Sequence, residues 1–177
     1  MKVNQNGNLE IGGVDVVTIA RENDFPVYVI DEALLRKNMS DYVNAFSEFY
    51  PNARVHYASK ALMCMGMCKI AEQEGLGLDV VSGGELYTAL KAGFPNKKII
   101  MHGNNKTEPE LKMAIESQIG RVVIDNFYEI ELLDKLTKQL GKSVDVMLRI
   151  KPGIHADTHH YITTGHEDSK FGFIIKE

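Results

Sequence analysis

The stretch Lys98–Asp125, KIIMHGNNKTEPELKMAIESQIGRVVID, decides the fold of this chain. It begins with an apolar run that ends in a polar loop, continues through an amphipathic segment, and closes with a second apolar run. Thr107 and Glu110 have the spacing of a capping box, which predicts a helix beginning at residue 108. A strand, a helix and a second strand in this order predict a βαβ unit with parallel strands.

The same unit recurs along the chain. Apolar runs begin near Val55, Leu78, Lys98, Arg121 and Val144, at intervals of 20–23 residues. Amphipathic segments lie between them, at residues 63–74, 84–92, 108–117 and 128–140. This alternation predicts an α/β fold with five βα units, closed either as a doubly wound sheet or as a (β/α)8 barrel. Because a barrel takes about 250 residues, and about 200 at the least, the barrel interpretation expects an incomplete chain.

The residues before the repeat follow a different pattern. Leu9–Ile11 and Pro26–Ile30 are short apolar runs on either side of a Gly12-Gly13 break, and we predict strands there. A long helix is predicted next, capped by Asp31 and ended by Pro51.

Composition excludes several classes of protein. The chain has 177 residues, 44% of them hydrophobic and 25% charged, with a net charge of −4, as in soluble globular proteins. No apolar run approaches the roughly 18 residues that a membrane span needs, and the polar N-terminus does not resemble a signal peptide. The acidic balance argues against nucleic-acid binding. We therefore expect a cytoplasmic protein with reduced thiols at Cys64 and Cys68.

Each predicted strand ends in polar side chains. In a barrel these ends share one face, where catalytic groups gather. The candidates are Lys60, Asp79, Glu85, His102 and Arg149. Lys60 is the most informative, because a lysine rooted beside apolar residues can form a Schiff base. Asp79 and Arg149 lie inside apolar strands, where a charge needs a partner, and pairing with each other is one solution.

Other interpretations of the polar residues remain. Ser82 and Glu85 also fit a simple helix cap, and Gly83-Gly84 fit either a phosphate cradle or a tight turn. A metal site is an alternative for the histidines of one segment and for the two cysteines. These residues are His155, His159, His160 and His166, with Cys64 and Cys68. The histidines lie among loop residues without a matching carboxylate spacing, so we predict no metal.

Several motifs, in order along the chain, resemble the signatures of diaminopimelate decarboxylase. They are YASKA (57–61), LDVVSGGEL (78–86), HGNNK (102–106), Asp125-Asn126, LRIKPG (148–153), YITTG (161–165) and DSKFG (168–172). The resemblance runs from about Leu9 to Phe173 and is specific because the motifs occur in register. Leu62 and Lys151 depart from it, at positions where asparagine is more usual.

The resemblance implies the fold of alanine racemase and ornithine decarboxylase, in which a barrel binds pyridoxal 5'-phosphate and both chain ends form a β domain. Residues 1–30 would then be the leading strands of the β domain, and residues 31–177 an incomplete barrel. It also implies that the enzyme decarboxylates meso-2,6-diaminopimelate to L-lysine, the last step of lysine biosynthesis, as a homodimer. Lys60 matches the lysine that holds the cofactor, and Asp79, Glu85, His102 and Arg149 match positions that line its pocket.

The family's later phosphate-binding and substrate-binding segments are absent from this chain, so we expect the isolated 177 residues to be inactive. Three alternatives stay open. They are a related decarboxylase of arginine, ornithine or a derivative, a non-catalytic pyridoxal-phosphate-binding protein, and a doubly wound metal-binding or nucleotide-binding domain.

Overall fold

A computed structural model of the chain describes residues 1–153 and 170–175. These residues divide into two compact units, Met1–Arg54 and Val55–Glu177. The predicted division into domains at residues 30 and 31 stays a prediction. No helix in the described part of the chain is both long and apolar enough to cross a membrane.

The first unit combines a small antiparallel sheet with two helices. The strands are β1 (Lys2–Val3), β2 (Leu9–Ile11) and β3 (Val14–Asp15), in that order, and the helices are α1 (Val16–Glu22) and α2 (Glu32–Phe49). The predicted strand at Leu9–Ile11 is confirmed. So is the helix after Asp31, whose Oδ1 accepts a hydrogen bond from the Leu34 amide at 3.0 Å.

One expectation for this unit is wrong, and one helix was not predicted. Residues 26–30 form no strand, although they are apolar. Helix α1 was not predicted. Asp15 caps its first turn by accepting a hydrogen bond from the Val17 amide at 2.8 Å. The Asp15 carboxylate also accepts from the side-chain amides of Asn4 and Asn8, so one acidic side chain fixes both the turn and the helix start.

The second unit contains the predicted repeat. Its strands are β4 (His56–Ala58), β5 (Gly77–Val80), β6 (Ile99–Met101), β7 (Arg121–Ile124), β8 (Val146–Leu148), β9 (Ile150–Lys151) and β10 (Phe173–Ile174). Its helices are α3 (Met65–Gln73), α4 (Gly83–Lys91), α5 (Glu108–Glu116) and α6 (Phe127–Leu140). Every strand pairing in this unit is parallel.

The order of the strands distinguishes between the two predicted closures. Strands β4 to β8 form one sheet in the order of the sequence, so each strand is bonded to the strand that follows it in the chain. In a doubly wound sheet the order of the strands reverses at a switch point, whereas in a barrel each strand lies beside the one that follows it in the sequence. The described residues therefore form part of a (β/α)8 barrel, as predicted.

Arg149 joins β8 and β9 into one continuous strand. Its amide donates to the Ile124 carbonyl at 3.0 Å, and its own carbonyl accepts from the Phe173 amide at 2.8 Å. Strand β10 thereby pairs with β9 and extends the sequential order by one strand beyond the five predicted.

The core lies between the sheet and the inner faces of α3 to α6. Burying one large apolar side chain contributes roughly 1.5–3 kcal/mol. The buried positions are consecutive along most of β7, alternate along β6, and repeat at helical spacing along the helices. They include Leu78, Val80, Ile99, Met101 and Val122 from the strands, and Leu86, Leu111, Ile115, Leu132 and Leu136 from the helices.

Gly120 lies just before β7, where two backbone segments come close together. A Cβ atom at this position would overlap the Lys97 carbonyl oxygen and lie 2.9 Å from the Ile99 carbonyl oxygen. The Gly120 amide donates to the carbonyls of Asn96 and Ile99, each at 2.9 Å. Glycine is therefore required here by the close approach of the backbone.

Candidate functional site

Parallel pairing brings the predicted polar residues to one edge of the sheet. Ala58 of β4 is paired with Asp79 of β5, and Lys60 follows Ala58 by two residues. Lys60 and Asp79 therefore lie near the ends of adjacent strands. Val80 is paired with Met101, which places His102 beside the end of β5. Ile124 is paired with Leu148, so Asp125 and Arg149 also come together.

Lys60 lies in a single 3-10 turn, Ser59–Ala61, directly after β4. The Tyr57 hydroxyl donates to the Leu62 carbonyl at 3.0 Å and closes the turn. The Lys60 side chain is exposed, and no described residue forms a hydrogen bond or ion pair with its amine. The turn therefore presents an unengaged primary amine at the end of the strand.

Asp79 and His102 face each other at this edge. Asp79 Oδ1 lies 3.9 Å from His102 Nε2, and both side chains are about one-third exposed. Burial raises the pKa of the Asp79 carboxyl, although His102, His56 and Arg149 oppose this shift. Burial also lowers the pKa of His102, an effect that the nearby Asp79 carboxylate only partly offsets. The two shifts favour the uncharged forms, which can donate or accept a proton.

Arg149 pairs with Asp125, and not with Asp79. Its Nη1 donates to Asp125 Oδ1 at 3.3 Å, and its guanidinium stacks over the Phe171 ring at 4.1 Å from the centroid. Asp125 is buried, and its Oδ2 accepts from the Gly172 amide at 3.2 Å. Arg149 therefore has a charged partner, as predicted for a charge inside an apolar strand. The partner is Asp125, which the sequence did not identify.

The carboxylate of Glu85 is engaged in a helix cap. Its Oε2 accepts from the Val81 amide at 2.8 Å, while its own amide donates to Ser82 Oγ at 3.2 Å. Glu110 joins two neighbouring βα repeats in a similar way. Its carboxylate accepts from the Thr107 amide at 2.8 Å and from the Gly83 amide at 2.7 Å. Burial would raise the pKa of Glu110, but these hydrogen bonds outweigh it and lower that pKa.

A buried ion pair between Lys106 and Glu129 was not predicted. Lys106 Nζ lies 2.8 Å from Glu129 Oε1, and both side chains are 1% exposed. Lys106 belongs to the motif HGNNK, and no motif in the sequence indicates that Glu129 lies beside it. The one available signal is that Lys106 lies in the loop after a predicted strand. A buried cation there needs a carboxylate, which the next βα repeat can supply.

Three side-chain oxygens are buried without a hydrogen-bond partner among residues 1–153 and 170–175. They are Ser59 Oγ, Asp79 Oδ1 and Glu129 Oε1, the last of which lies 2.8 Å from the Lys106 ammonium. Leaving a buried polar atom unpaired costs about 1–3 kcal/mol, so Ser59 Oγ and Asp79 Oδ1 point to a polar ligand. No sequence signal identifies Ser59 apart from its place beside Lys60.

Some residues and motifs considered in the sequence lie outside the described residues. They are His155, His159, His160 and His166, together with the motif at 161–165 and the first two residues of that at 168–172. Among the described residues, no group of three or more histidine, cysteine, aspartate or glutamate side chains is arranged to hold a metal ion. Cys68 is buried with its Sγ 3.8 Å from Met63 Sδ, and both thiols are free.

Comparison with known proteins gives consistent matches. Residues 34–177 match the family model described as "Pyridoxal-dependent decarboxylase, pyridoxal binding domain". The chain is 57% identical over 170 residues to a diaminopimelate decarboxylase of Bacillus subtilis (strain 168), covering 96% of this chain and 39% of that protein. The chain thus spans well under half the length of this relative.

Solved structures agree with the sequence matches. A crystal structure of diaminopimelate decarboxylase from M. jannaschii superposes with a TM-score of 0.85 at 32% identity, over 99% of this chain and 41% of that one. A second structure of that enzyme, in complex with L-lysine, has a TM-score of 0.84 at 33% identity, over 97% and 41% of the two chains.

The described residues fit the cofactor of this family, pyridoxal phosphate. The exposed Lys60 amine can bond its aldehyde carbon, and the unpaired oxygens of Ser59 and Asp79 can meet its polar groups. The match covers most of the chain, and the fold agrees with it. The chain belongs to the pyridoxal-dependent decarboxylases, and residues 34–177 correspond to their pyridoxal-binding domain.

Proposed function

We propose that the protein containing this chain decarboxylates meso-2,6-diaminopimelate to L-lysine and CO2. The observation that carries this proposal is the 57% identity to a diaminopimelate decarboxylase over 96% of the chain. The solved relative in complex with L-lysine supports an amino-acid ligand of this size and charge. We also propose that the protein works as a cytoplasmic homodimer without nucleic-acid or membrane partners, as the resemblance and the net charge of −4 suggest.

We propose five residues for the cofactor pocket: Lys60, Asp79, Glu85, His102 and Arg149. When bound, pyridoxal phosphate supplies an aldehyde for an amine and an electron-poor ring that stabilises the charge left by loss of CO2. Lys60 holds the cofactor and is placed to carry a proton at Nζ. Glu85 acts through the loop, because its carboxylate accepts from the Val81 amide.

Asp79 and His102 are the remaining proton carriers at the strand ends. Their facing atoms are 3.9 Å apart, and burial favours the uncharged form of each group. A proton can therefore reside on the Asp79 carboxyl while His102 Nε2 accepts one. The fixed positive charge of Arg149 opposes a second cation on His102. Asp79, His102 and Arg149 thus balance one another's charge at the edge of the sheet where Lys60 lies.

The test is a substrate profile of the intact protein. We expect CO2 and L-lysine from meso-diaminopimelate in the presence of pyridoxal phosphate, and no CO2 from L-arginine, L-ornithine or L-lysine. Release of CO2 from arginine or ornithine alone would indicate a related decarboxylase. Binding of pyridoxal phosphate without CO2 release from any of these compounds would indicate a non-catalytic binding protein.

Replacing Ser59 by alanine should separate cofactor binding from stability. The buried hydroxyl lacks a partner among the described residues, so its removal should raise the free energy of unfolding of the cofactor-free protein by about 1 kcal/mol. The same change should weaken pyridoxal phosphate binding by roughly 3- to 10-fold, the worth of one hydrogen bond. Urea denaturation and an absorbance titration measure the two effects.

Ser47→Ala is the matched control, since Ser47 is exposed and its hydroxyl only donates to the Asn44 carbonyl at 3.0 Å. It should change neither quantity. Unchanged cofactor affinity in Ser59→Ala would remove Ser59 from the proposed pocket.

A further inference from the structure

We propose that the buried Lys106–Glu129 ion pair positions Asp125 and, through Asp125, the guanidinium of Arg149. Lys106 and Glu129 are therefore assigned as positioning residues, with no direct contact to substrate or cofactor. Only the part of this inference in which Arg149 lines the cofactor pocket rests on the proposed function. The connection from Asp125 to Gly172 can be tested without any ligand.

The first step is the complete engagement of Lys106. Its Nζ lies 2.8 Å from Glu129 Oε1 and donates to the carbonyls of Gly103 and Val123 at 2.6 and 2.8 Å. The ammonium thus makes two hydrogen bonds to carbonyl groups and one close ionic contact with Glu129 Oε1. Lys106 therefore ties its own loop after β6 to strand β7 and to helix α6.

The second step runs from Glu129 to Asp125. Glu129 Oε2 accepts from the Asp125 amide at 2.9 Å, while the Glu129 amide donates to Asn126 Oδ1 at 3.0 Å. One carboxylate oxygen thus meets the buried cation, and the other holds the backbone of Asp125. The position of the Asp125 side chain then depends on the orientation of Glu129.

The third step runs from Asp125 to the adjacent strands. Asp125 Oδ1 accepts from Arg149 Nη1 at 3.3 Å and Oδ2 accepts from the Gly172 amide at 3.2 Å. Arg149 then stacks on Phe171. Lys106, Glu129, Asp125 and Arg149 form a network of two cations and two anions across three neighbouring strand ends.

Stability alone gives a weak reason for this network. A buried ion pair contributes little net stability compared with apolar side chains of similar size, because both charges lose their hydration. By contrast, its directed hydrogen bonds fix a loop in one geometry. Asp125 and Arg149, which the pair holds, lie one residue beyond the ends of β7 and β8, at the edge of the sheet that carries Asp79 and His102. Both observations favour a positioning role.

The control pair joins helices α5 and α6 at the protein surface. Lys135 of α6 and Glu108 of α5 form an ion pair at 3.4 Å, but their side chains are more than half exposed. Glu108→Gln therefore removes one carboxylate charge from an ion pair of α6 without touching the buried network.

The first measurement is amide hydrogen exchange of the cofactor-free protein. Glu129→Gln should speed exchange of the Gly172 amide by about tenfold or more, because its acceptor Asp125 loses its anchor. The His102 amide, which donates to Val80 between β5 and β6, should change much less, and Glu108→Gln should change neither. Equal acceleration of both amides, or no change at Gly172, would overturn the proposal.

A second variant guards against simple unfolding. Lys106→Met combined with Glu129→Met removes both charges together and keeps side chains of similar length, a change that is often neutral for stability. If this double variant folds with an unchanged melting temperature, we expect the Gly172 amide still to lose protection. Retained protection would show that the pair only fills space.

The second measurement is the affinity for pyridoxal phosphate by absorbance titration. Glu129→Gln should raise Kd by about tenfold, and this increase should vanish when Arg149 is already replaced by methionine, since coupled residues are not additive. Additive effects would contradict the link to Arg149. Failure of every variant, and of the unmodified protein, to bind pyridoxal phosphate would refute the proposed function. The exchange result would still decide the positioning role.

Discussion

Replacing Lys60 by alanine is expected to abolish turnover and to remove the visible absorption of protein-bound pyridoxal phosphate. The exposed amine in the turn after β4 is the proposed attachment point, and among the described residues no second lysine lies in a 3-10 turn that follows a strand. Loss of a positioned acid–base group alone lowers a rate by about 10²–10⁴-fold, and loss of covalent attachment adds to this. We therefore expect activity to fall by at least roughly 10³-fold.

Lys98→Ala is the control for this prediction. Lys98 is also exposed, but it lies directly before β6, at the opposite end of the strands from Lys60. Its replacement should leave both absorption and turnover unchanged. Measurements of CO2 release and of the absorption spectrum on the same preparations test both variants. Full turnover by Lys60→Ala with its spectrum intact would show that another amine holds the cofactor.

Replacing Gly120 by alanine should destabilise the second unit by about 3 kcal/mol or more, at or above the upper end of the usual cost of overpacking. The new Cβ would overlap the Lys97 carbonyl oxygen, and backbone cannot move aside as a flexible side chain can. The two hydrogen bonds from the Gly120 amide would lengthen as the segments separate. Urea denaturation followed by circular dichroism gives the change in free energy of unfolding.

Gly66→Ala provides the contrast within the same unit. Gly66 lies inside α3, and a Cβ atom there would meet only Cys64 Sγ, at 3.8 Å. Glycine inside a helix costs about 0.5–1 kcal/mol relative to alanine, so this change should stabilise the protein by a similar amount. If the two substitutions shifted stability equally, steric overlap at Gly120 would not be the cause.

The barrel units could be predicted because local and long-range signals agree there. Strand β7 spans Arg121–Ile124 as predicted, and the predicted helices begin within two residues of their observed starts. Capping pairs such as Asn126 and Glu129 fix these starts in the sequence itself. The first unit was harder, since its apolar run at 26–30 has the composition of a strand but no strand pairing in the described part of the chain.

The location of the candidate residues at the strand ends could be predicted, but their pairings could not. The strand-end rule placed Lys60, Asp79, His102 and Arg149 at one edge, and parallel pairing brings these strand ends together. The partner of Arg149 was not predictable, because Asp125 is reached only through the register of β7 and β8. The Lys106–Glu129 contact likewise joins a loop to helix α6, and no periodic signal in the sequence indicates that the two come together.

The sequential strand order has a consequence for how the second unit folds. Each strand of the sheet pairs with a strand roughly twenty residues earlier, so every pairing closes a loop of similar, modest length and similar entropic cost. Contacts of this kind are more local than those of a sheet whose distant strands meet, and locality favours rapid folding. The sheet can therefore grow one βα unit at a time, each finished unit serving as the template for the next.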